Sequence, residues 1–213
     1  MKLKDHIINL LKNKDYDEII KLTSGGKKIL TILISLTYDK KNVICWRAIE
    51  AIGMITGKLS KSDPGLVRNI VERLLWMIRD ESGGIGWSSP EILGEIVRHN
   101  PEIFSDIAPI ILSFHEEPPL CAGVLRAAGR IGKRNAEMVH YAKPIIAPYL
   151  MSPDNSVRGY AAWALGEIGD SEAASEIEKL EADENTFIFY DEGNIKEVTV
   201  GEIAAESLAK INK

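Results

Sequence analysis

The chain has 213 residues, of which 45% are hydrophobic and 27% are charged, and this composition is typical of a folded globular domain rather than a disordered segment. The formal net charge is −5 and no run of Lys and Arg exceeds two residues. This disfavours binding to nucleic acid, because proteins bind duplexes largely by neutralising phosphates with basic side chains.

Cysteine content and apolar runs indicate the cellular setting. Cys45 and Cys121 lie far apart in apolar helical contexts, which predicts two small buried residues rather than a disulfide or a zinc site. The N-terminal residues lead into an amphipathic pattern that does not resemble a signal peptide. The longest apolar run, residues 29–36, is too short and too polar to cross a bilayer. We therefore expect a cytoplasmic protein that binds neither membranes nor nucleic acid.

In chain order, the sequence predicts one domain of four parts. Residues 1–38 form an N-terminal cap of two or three helices, with a break at Gly25-Gly26. Residues 39–185 contain helical repeats, residues 186–200 form a β-hairpin, and residues 201–213 form the last helix. The predicted fold class is therefore all-α with a small hairpin insertion near the C-terminus.

The repeats align on a recurring glycine with an isoleucine two residues after it. The glycines are 41, 35 and 37 residues apart, and a fifth copy has Ser207 in their place another 41 residues on; they are Gly53, Gly94, Gly129 and Gly166. Glycine inside a helix costs roughly 1 kcal/mol relative to alanine. Its recurrence at one phase therefore predicts that the neighbouring helix approaches too closely for a side chain.

The first helices of the repeats lie between these glycine-containing segments. A polar residue followed by proline marks the start of two first helices and of one second helix. These pairs are Asp63-Pro64 before the helix 65–79, Asn100-Pro101 before the helix 102–114, and Ser152-Pro153 before the helix that contains Gly166. Pro144 and Pro148 should kink or shorten the helix 137–150.

Residues 157–170, Val-Arg-Gly-Tyr-Ala-Ala-Trp-Ala-Leu-Gly-Glu-Ile-Gly-Asp, are very near the consensus of a known repeat. The pattern resembles the HEAT-repeat superfamily, most closely the short prokaryotic type related to phycobilisome lyase repeats, over roughly residues 40–213. The resemblance implies an α-α superhelix, or solenoid, of about five helix pairs. It does not define a function, because such repeats occur in scaffolds, inhibitors, lyases and hydroxylases.

The predicted hairpin lies between the two helices of the last repeat. Its aromatic and β-branched runs, residues 186–190 and 195–200, flank a turn at residues 191–194. The hairpin is either a structural cap over the outer apolar face of the terminal repeat or an edge on which a partner docks.

The resemblance also implies a binding surface, since the second helices of HEAT-like stacks line the concave side. The residues seven and three before each glycine, and one after it, would line that groove, and large aromatics and Arg are enriched in binding hot spots. The candidate partner-binding residues are Trp46, Glu50, Trp87, Glu91, Glu95, Arg126, Arg130 and Trp163. Alternatively, Glu91 and Arg126 simply pair between adjacent repeats, and the tryptophans fill gaps in the stack.

Residues 82–91 are rich in glycine and precede a helix, and we expect them to form a tight turn with Trp87 packed inward. An anion site is the alternative, since glycine-rich loops before a helix can bind anions, but no Walker lysine follows and no strand precedes. The histidines, His6, His99, His115 and His140, are scattered and are expected at the surface. None lies where the HEAT-type deoxyhypusine hydroxylases place their metal ligands, before the repeat glycine.

The sequence therefore predicts a non-catalytic scaffold or adaptor that binds a protein or peptide in the groove, without a catalytic residue, metal or cofactor. The alternative is a lyase-like enzyme or small-ligand carrier that uses the same groove. Its polar groups would be Glu91, Glu95 and Arg126.

Overall fold

The computed structural model describes residues 2–22, 28–79 and 85–212. The helices are α1 (Leu3–Lys12), α2 (Tyr16–Leu22), α3 (Lys28–Ile34), α4 (Val43–Leu59), α5 (Pro64–Arg79), α6 (Ser89–His99), α7 (Pro101–Phe104), α8 (Ile107–Leu112), α9 (Pro118–Arg134), α10 (Lys143–Ile146), α11 (Asn155–Ile168), α12 (Ala174–Glu178) and α13 (Val200–Ile211). Short 3-10 helices occupy Ile85–Ser88, Ala136–Ala142, Ala147–Met151 and Ser171–Ala173. The predicted break at Gly25-Gly26 and residues 82–84 of the glycine-rich segment lie outside the described residues.

Five second helices form a continuous row, in which α4 packs on α6, α6 on α9, α9 on α11 and α11 on α13. The first helices and 3-10 turns pack against this row: α5 contacts α4 and α6, α8 contacts α6 and α9, and the 3-10 helix Ala147–Met151 contacts α11. At the N-terminal end, α1, α2 and α3 all pack against α4 and bury Ile7, Leu11, Ile19 and Leu33. The observed fold confirms the predicted all-α solenoid with a small hairpin.

The recurring glycines lie at the contacts between neighbouring second helices. A Cβ on Gly94 would lie 2.6 Å from the Cβ of Ala127, and one on Gly166 would lie 2.6 Å from the Cβ of Ser207. A Cβ on Gly53 would lie 2.8 Å from the Cβ of Glu95, and one on Gly129 would collide with the Trp163 ring. All four glycines are buried. The prediction that neighbouring helices approach too closely for side chains is confirmed.

The first helices begin partly as predicted. The Asp63 carboxylate accepts a hydrogen bond from the Leu66 N–H at 2.9 Å, as expected of an N-terminal cap. Asn100 and Pro101 stand at the start of α7 as predicted, but the Asn100 side chain does not cap the helix. Its amide donates to the Ile96 carbonyl at 2.8 Å and its oxygen accepts from Ser60, so it joins two repeats instead. The predicted helix 102–114 is divided into α7 and α8, since Pro109 has no N–H to donate to the carbonyl of residue 105.

The helix that contains Gly166 begins two residues later than predicted. Asp154, rather than Ser152, is its cap, and it accepts from the backbone N–H groups of Ser156 and Val157 at 2.8 and 3.2 Å. Pro144 and Pro148 shorten the preceding segment as predicted, leaving the four-residue α10 between two 3-10 helices.

The hairpin consists of antiparallel strands β1 (Thr186–Asp191) and β2 (Asn194–Thr199), paired from Thr186↔Thr199 to Asp191↔Asn194. The two turn residues, Glu192 and Gly193, have φ of 47° and 81°, the left-handed values that a two-residue turn requires. At the other end of β2, Thr199 and Glu202 form a reciprocal capping box that starts α13.

Candidate functional site

The hairpin lies across the row of second helices and contacts the first of them, α4, and the fourth, α11. Phe187 and Phe189 pack against α11, while Tyr190 packs against α4. These two helices are separated by α6 and α9, with interhelix steps of about 8–10 Å each. One short strand contacts both only because the row curves around it, so the hairpin occupies the concave surface.

Three aromatic residues of β1 anchor the hairpin through ring contacts. The ring centroids of Phe187 and Tyr160 are 5.3 Å apart, and those of Phe189 and Trp163 are 5.6 Å apart, both in edge-on arrangements. Tyr190 stacks on Trp46 at 5.6 Å with an angle of 13° between the rings. Aromatic pairs at these distances contribute more to stability than the burial of their apolar area alone would give.

Arg126 lies at the centre of this aromatic cluster. Its guanidinium carbon is 4.7 Å from the centroid of the Trp46 ring, 5.5 Å from that of Tyr190 and 5.7 Å from that of Tyr160. Trp163 and Phe189 complete the cage at 5.7 and 6.0 Å. The Nη1 atom is buried and has no hydrogen-bond partner among the described residues. The interaction of the charge with ring faces therefore holds this cation in place.

Glu50 connects the hairpin to the N-terminal cap. Its Oε2 atom accepts hydrogen bonds from the hydroxyls of Tyr190 and Tyr16, both at 2.7 Å, and its Oε1 atom is 3.8 Å from Arg130. Burial and the adjacent Glu50 carboxylate raise the pKa of both tyrosines above the usual value. Each hydroxyl therefore keeps its proton and acts as a donor.

Glu95 is held in a buried ionic network. Its carboxylate contacts the Arg130 Nε atom directly and lies 3.1 Å from Arg98. Burial alone would raise the pKa of Glu95, but the positive charges of Arg130 and Arg98 outweigh it, so this pKa is lowered. The ionised Glu95 carboxylate thus stabilises the packing of α6 against α9 through its contact with Arg130.

Glu91 pairs with a lysine from outside the repeat pattern. Its Oε1 atom is 2.6 Å from the Lys40 Nζ atom, which also donates to the Trp87 carbonyl at 2.9 Å. Arg126 lies in the aromatic cage instead, so the predicted alternative of a Glu91–Arg126 pair was wrong. Gly123 leaves the room that the Glu91 carboxylate needs, since a Cβ there would lie 2.7 Å from it.

The tip of the hairpin reaches the first repeat and the cap. Arg47 donates from Nε to the Gly193 carbonyl at 2.8 Å and from Nη1 to the carbonyls of Leu11 and Lys12 at 3.0 and 2.8 Å. The Lys14 ammonium donates to the Glu192 carbonyl at 3.3 Å. These contacts connect the last repeat to the opposite end of the solenoid.

The predicted site residues therefore lie in two environments. Six of the eight are buried, with 3–6% of their surface exposed: Trp46, Glu91, Glu95, Arg126, Arg130 and Trp163. Glu50 is half-buried, and Trp87 is 57% exposed. The hairpin contacts four of the predicted residues, Trp46, Glu50, Arg126 and Trp163. Arg130 is paired with Glu95, whereas Glu91 is paired with Lys40. The role of all eight in binding a partner stays a prediction.

Trp87 lies beside an open cleft of about 340 Å³ and does not pack inward, so this prediction for the glycine-rich segment was wrong. Tyr38, which is 73% exposed, also lines the cleft, together with Lys40, Lys41 and Pro119. Ser88 fixes this edge by donating to the Thr37 carbonyl at 2.5 Å. The cleft therefore has two large exposed rings beside the buried surface.

Sequence reasoning missed Tyr16, Tyr38, Lys40 and Tyr190 because these residues lie outside the second helices. The alternation of Phe187 and Phe189 was a usable signal, since it places both rings on one face of β1. No comparable signal marks Lys40 or Tyr38, which lie in the turn before α4.

The cysteines and two of the histidines are partly or fully enclosed by neighbouring residues. Burial raises the pKa of Cys45 to about 12 and that of Cys121 to about 11, and both are free thiols, as predicted for small buried residues. His99 is not a plain surface residue, because its ring contacts the Glu95 carbonyl at 3.0 Å and burial lowers its pKa. His115 contacts the Tyr149 hydroxyl at 2.8 Å.

The described ranges contain neither a cluster suited to a metal ion nor a helix suited to span a membrane. In residues 2–22, 28–79 and 85–212, no cluster of three His, Cys, Asp or Glu side chains has a geometry suited to a metal ion. Within the same ranges, no helix is both long and apolar enough to cross a membrane.

Known proteins match this chain in one repeat and in its overall fold. The profile of the PBS lyase HEAT-like repeat matches residues 157–183. An uncharacterised protein from Archaeoglobus fulgidus is 27% identical over 179 residues, which cover 82% of this chain and 92% of that protein.

Two crystal structures of engineered proteins share the fold at 16% identity. One has a TM-score of 0.54 and is matched over 100% of this chain and 97% of its own. The other has a TM-score of 0.52 over 87% of this chain, which spans about half, 48%, of that protein. The chain thus shares the fold of these proteins and has one repeat, residues 157–183, that matches the PBS lyase HEAT-like type.

Proposed function

We propose that this HEAT-repeat chain is a cytoplasmic, non-catalytic adaptor that binds a protein or peptide segment at the Trp87 end of its concave surface. The exposed position of Trp87, beside Tyr38 and an open cleft, carries this proposal. Exposed tryptophan and tyrosine rings supply large contact areas at protein interfaces with little loss of side-chain entropy.

The hairpin supports the same function. The concave surface already holds an extended segment of its own chain through three aromatic side chains and a tyrosine–carboxylate hydrogen bond. This surface is thus suited to bind extended polypeptide. The polar groups of the alternative enzymatic function are buried and occupied: hairpin rings enclose Arg126, Lys40 pairs with Glu91, and Arg130 pairs with Glu95. This favours a structural role for them.

A capture experiment with matched tryptophan variants tests the proposal. Tagged full-length wild type, Trp87→Ala and Trp76→Ala would be incubated with lysate from the source organism, and bound proteins quantified by mass spectrometry. Trp76 is a suitable control because it is 63% exposed and lies on a different helix, α5. We expect at least one protein to be captured by wild type and by Trp76→Ala and to be lost with Trp87→Ala.

Equal capture by all three proteins, or no capture above an empty-tag control, would contradict the proposal. Circular dichroism and thermal unfolding of each variant establish that the fold is intact. Both substituted side chains are mostly in water, so we expect stability within about 0.5 kcal/mol of wild type.

A further inference from the structure

The cleft beside Trp87 continues into a second cavity of about 440 Å³. The two cavities share Tyr38 and Asp39 in their walls. The second cavity extends over α1 and the start of α4, where Ile8, Leu36 and Val43 line it. A bound segment that follows both cavities would run from Trp87 across Tyr38 to the N-terminal cap.

The walls of this double cleft carry a charge opposite to that of the whole chain. Four lysines line it, Lys4, Lys12, Lys40 and Lys41, whereas Asp39 is its acidic lining residue. Lys40 is neutralised by Glu91 beneath it, so the lining has three other lysines against one aspartate. The chain as a whole has a net charge of −5.

We propose that the double cleft lined by Trp87, Tyr38 and these lysines binds an acidic peptide segment with an aliphatic or aromatic anchor. This inference rests on the proposed function and adds the chemistry of the partner. The anchor would pack between Tyr38 and Trp87 or against the apolar wall formed by Ile8, Leu36 and Val43. Carboxylates of the partner on either side of the anchor would face Lys4, Lys12 and Lys41.

The same surface chemistry, rings and lysines, also occurs in proteins that bind single-stranded nucleic acid. A peptide fits better here for two reasons. The inner wall is aliphatic and suited to side chains, and the positive lining is local. A nucleic acid strand that extends beyond the cleft would meet a chain with net negative charge, whereas a short acidic segment needs only the cleft.

A direct binding measurement with a defined probe tests this inference. The probe is a fluorescein-labelled synthetic peptide in which Glu and Asp flank a central Leu-Phe pair, titrated with the full-length chain and followed by anisotropy. We expect saturable binding that weakens as salt is raised. The double variant Lys4→Glu/Lys41→Glu should weaken binding about tenfold or more. Trp87→Ala should also weaken it.

Matched controls separate the cleft from the rest of the surface. Lys61→Glu reverses an exposed charge just after α4, at the end away from the cleft, and Trp76→Ala removes an exposed ring from α5. Both should bind the probe as wild type does. A peptide with the same Leu-Phe centre but Gln and Asn in place of the acids should bind at least about tenfold more weakly.

Three results would overturn the inference: no saturable binding of the acidic probe, equal binding by Lys4→Glu/Lys41→Glu, or tighter Trp87-dependent binding of a single-stranded RNA oligomer. The outcome is separable from that of the proposed function. If lysate capture depends on Trp87 while the acidic probe fails, the adaptor function stands and the acidic partner is wrong. If capture is independent of Trp87, the adaptor function falls by itself.

Discussion

At the scale of single residues, buried polar groups in this protein are tied to positions far away in the sequence. Glu50 receives hydroxyl donors from Tyr16 in the cap and Tyr190 in the hairpin, which lie 34 and 140 residues away. Because a buried carboxylate without donors is costly, these bonds select the docked position of the hairpin over alternatives.

The tyrosines give a prediction for alkaline pH. Their pKa values are raised in the folded state, so the unfolded chain releases these protons first as the pH rises. Their contribution to stability is therefore complete below about pH 10, the unfolded value, and is lost above it. Near neutral pH, the free energy of unfolding of Tyr190→Phe should be roughly 1.5–3 kcal/mol below that of wild type, since the variant lacks a hydrogen bond to a charged group. As the pH rises, this difference should shrink.

Urea unfolding at a series of pH values from 7 upwards measures both effects. Tyr38→Phe is the control, because the Tyr38 ring is exposed, and it should follow the wild-type curve. If the stability of Tyr190→Phe falls between neutral and alkaline pH as steeply as that of wild type, the Glu50 account is contradicted.

The repeat glycines give a second prediction at this scale. In Gly94→Ala, the added methyl group would lie 2.8 Å from the Ala127 Cα atom, so the backbone of α9 must move. Overpacking of this kind costs typically about 1–3 kcal/mol, and the better helix propensity of alanine offsets roughly 1 kcal/mol of that. We expect a net loss in the free energy of unfolding, measured in urea.

Gly65→Ala is the matched control. It lies in the first turn of α5, where the nearest atom to a new Cβ is 3.6 Å away. This substitution should leave the stability unchanged or raise it slightly. Equal effects at the two positions would show that close helix approach is not what the recurring glycine provides.

At the scale of elements, the hairpin is the part of the fold whose role differs most from either sequence-based expectation. A structural cap would cover the outer end of the last repeat, and a docking edge would face solvent. Instead, the Asn155 side chain and the Tyr160 hydroxyl donate to the β1 carbonyls of Thr186 and Ile188, so that α11 covers this edge. The hairpin thus fills the concave surface.

Phe189→Ala tests the docking of this element. Phe189 is buried against Trp163 and Tyr160, so its truncation should cost about 3–5 kcal/mol. Hydrogen exchange of the hairpin amides should accelerate, because opening of the hairpin becomes less costly. Ile188→Ala, an exposed position on the same strand, should change stability by no more than about 0.5 kcal/mol. Similar exchange in both variants would contradict the docked arrangement.

The elements themselves were largely predictable from local sequence. Glycines in phase, proline pairs and the turn at residues 191–194 specify backbone conformations that depend on nearby residues. Ser152 was the wrong cap because Asp154 lies closer to the start of the helix and accepts from its backbone N–H groups. The Asn100 side chain does not cap α7 because it bonds to Ser60 in the previous repeat.

The arrangement of the candidate site was much less predictable. The groove residues were identified from their phase relative to the glycine, and they do come together. The hairpin that lies over some of them is held by contacts such as that of Tyr190 with Trp46. Such contacts join residues far apart in the chain and follow no periodic pattern. Lys40 as the partner of Glu91 is a similar case, since an interaction between elements sets it.

At the scale of the whole molecule, the hairpin changes how the solenoid is stabilised. In an ordinary repeat array each repeat contacts only its neighbours, so that the two ends are energetically independent. Here Arg47 in the first repeat donates to the Gly193 carbonyl, a hydrogen bond between residues 146 positions apart. The hairpin therefore closes the array into one compact unit.

This closure leaves the four tryptophans in two distinct environments. Trp46 and Trp163 lie under the hairpin, with 4% and 3% of their surface exposed, whereas Trp76 and Trp87 are largely in solvent. Their fluorescence thus reports whether the concave surface is covered or open.

Acrylamide quenching of the full-length double variant Trp76→Phe/Trp87→Phe tests the covered concave surface most directly. The remaining emission, from Trp46 and Trp163, should resist quenching, and adding Phe189→Ala should restore access to the quencher. If the double variant is quenched as readily as the wild-type protein, the hairpin does not cover the concave surface in solution and the central claim is contradicted.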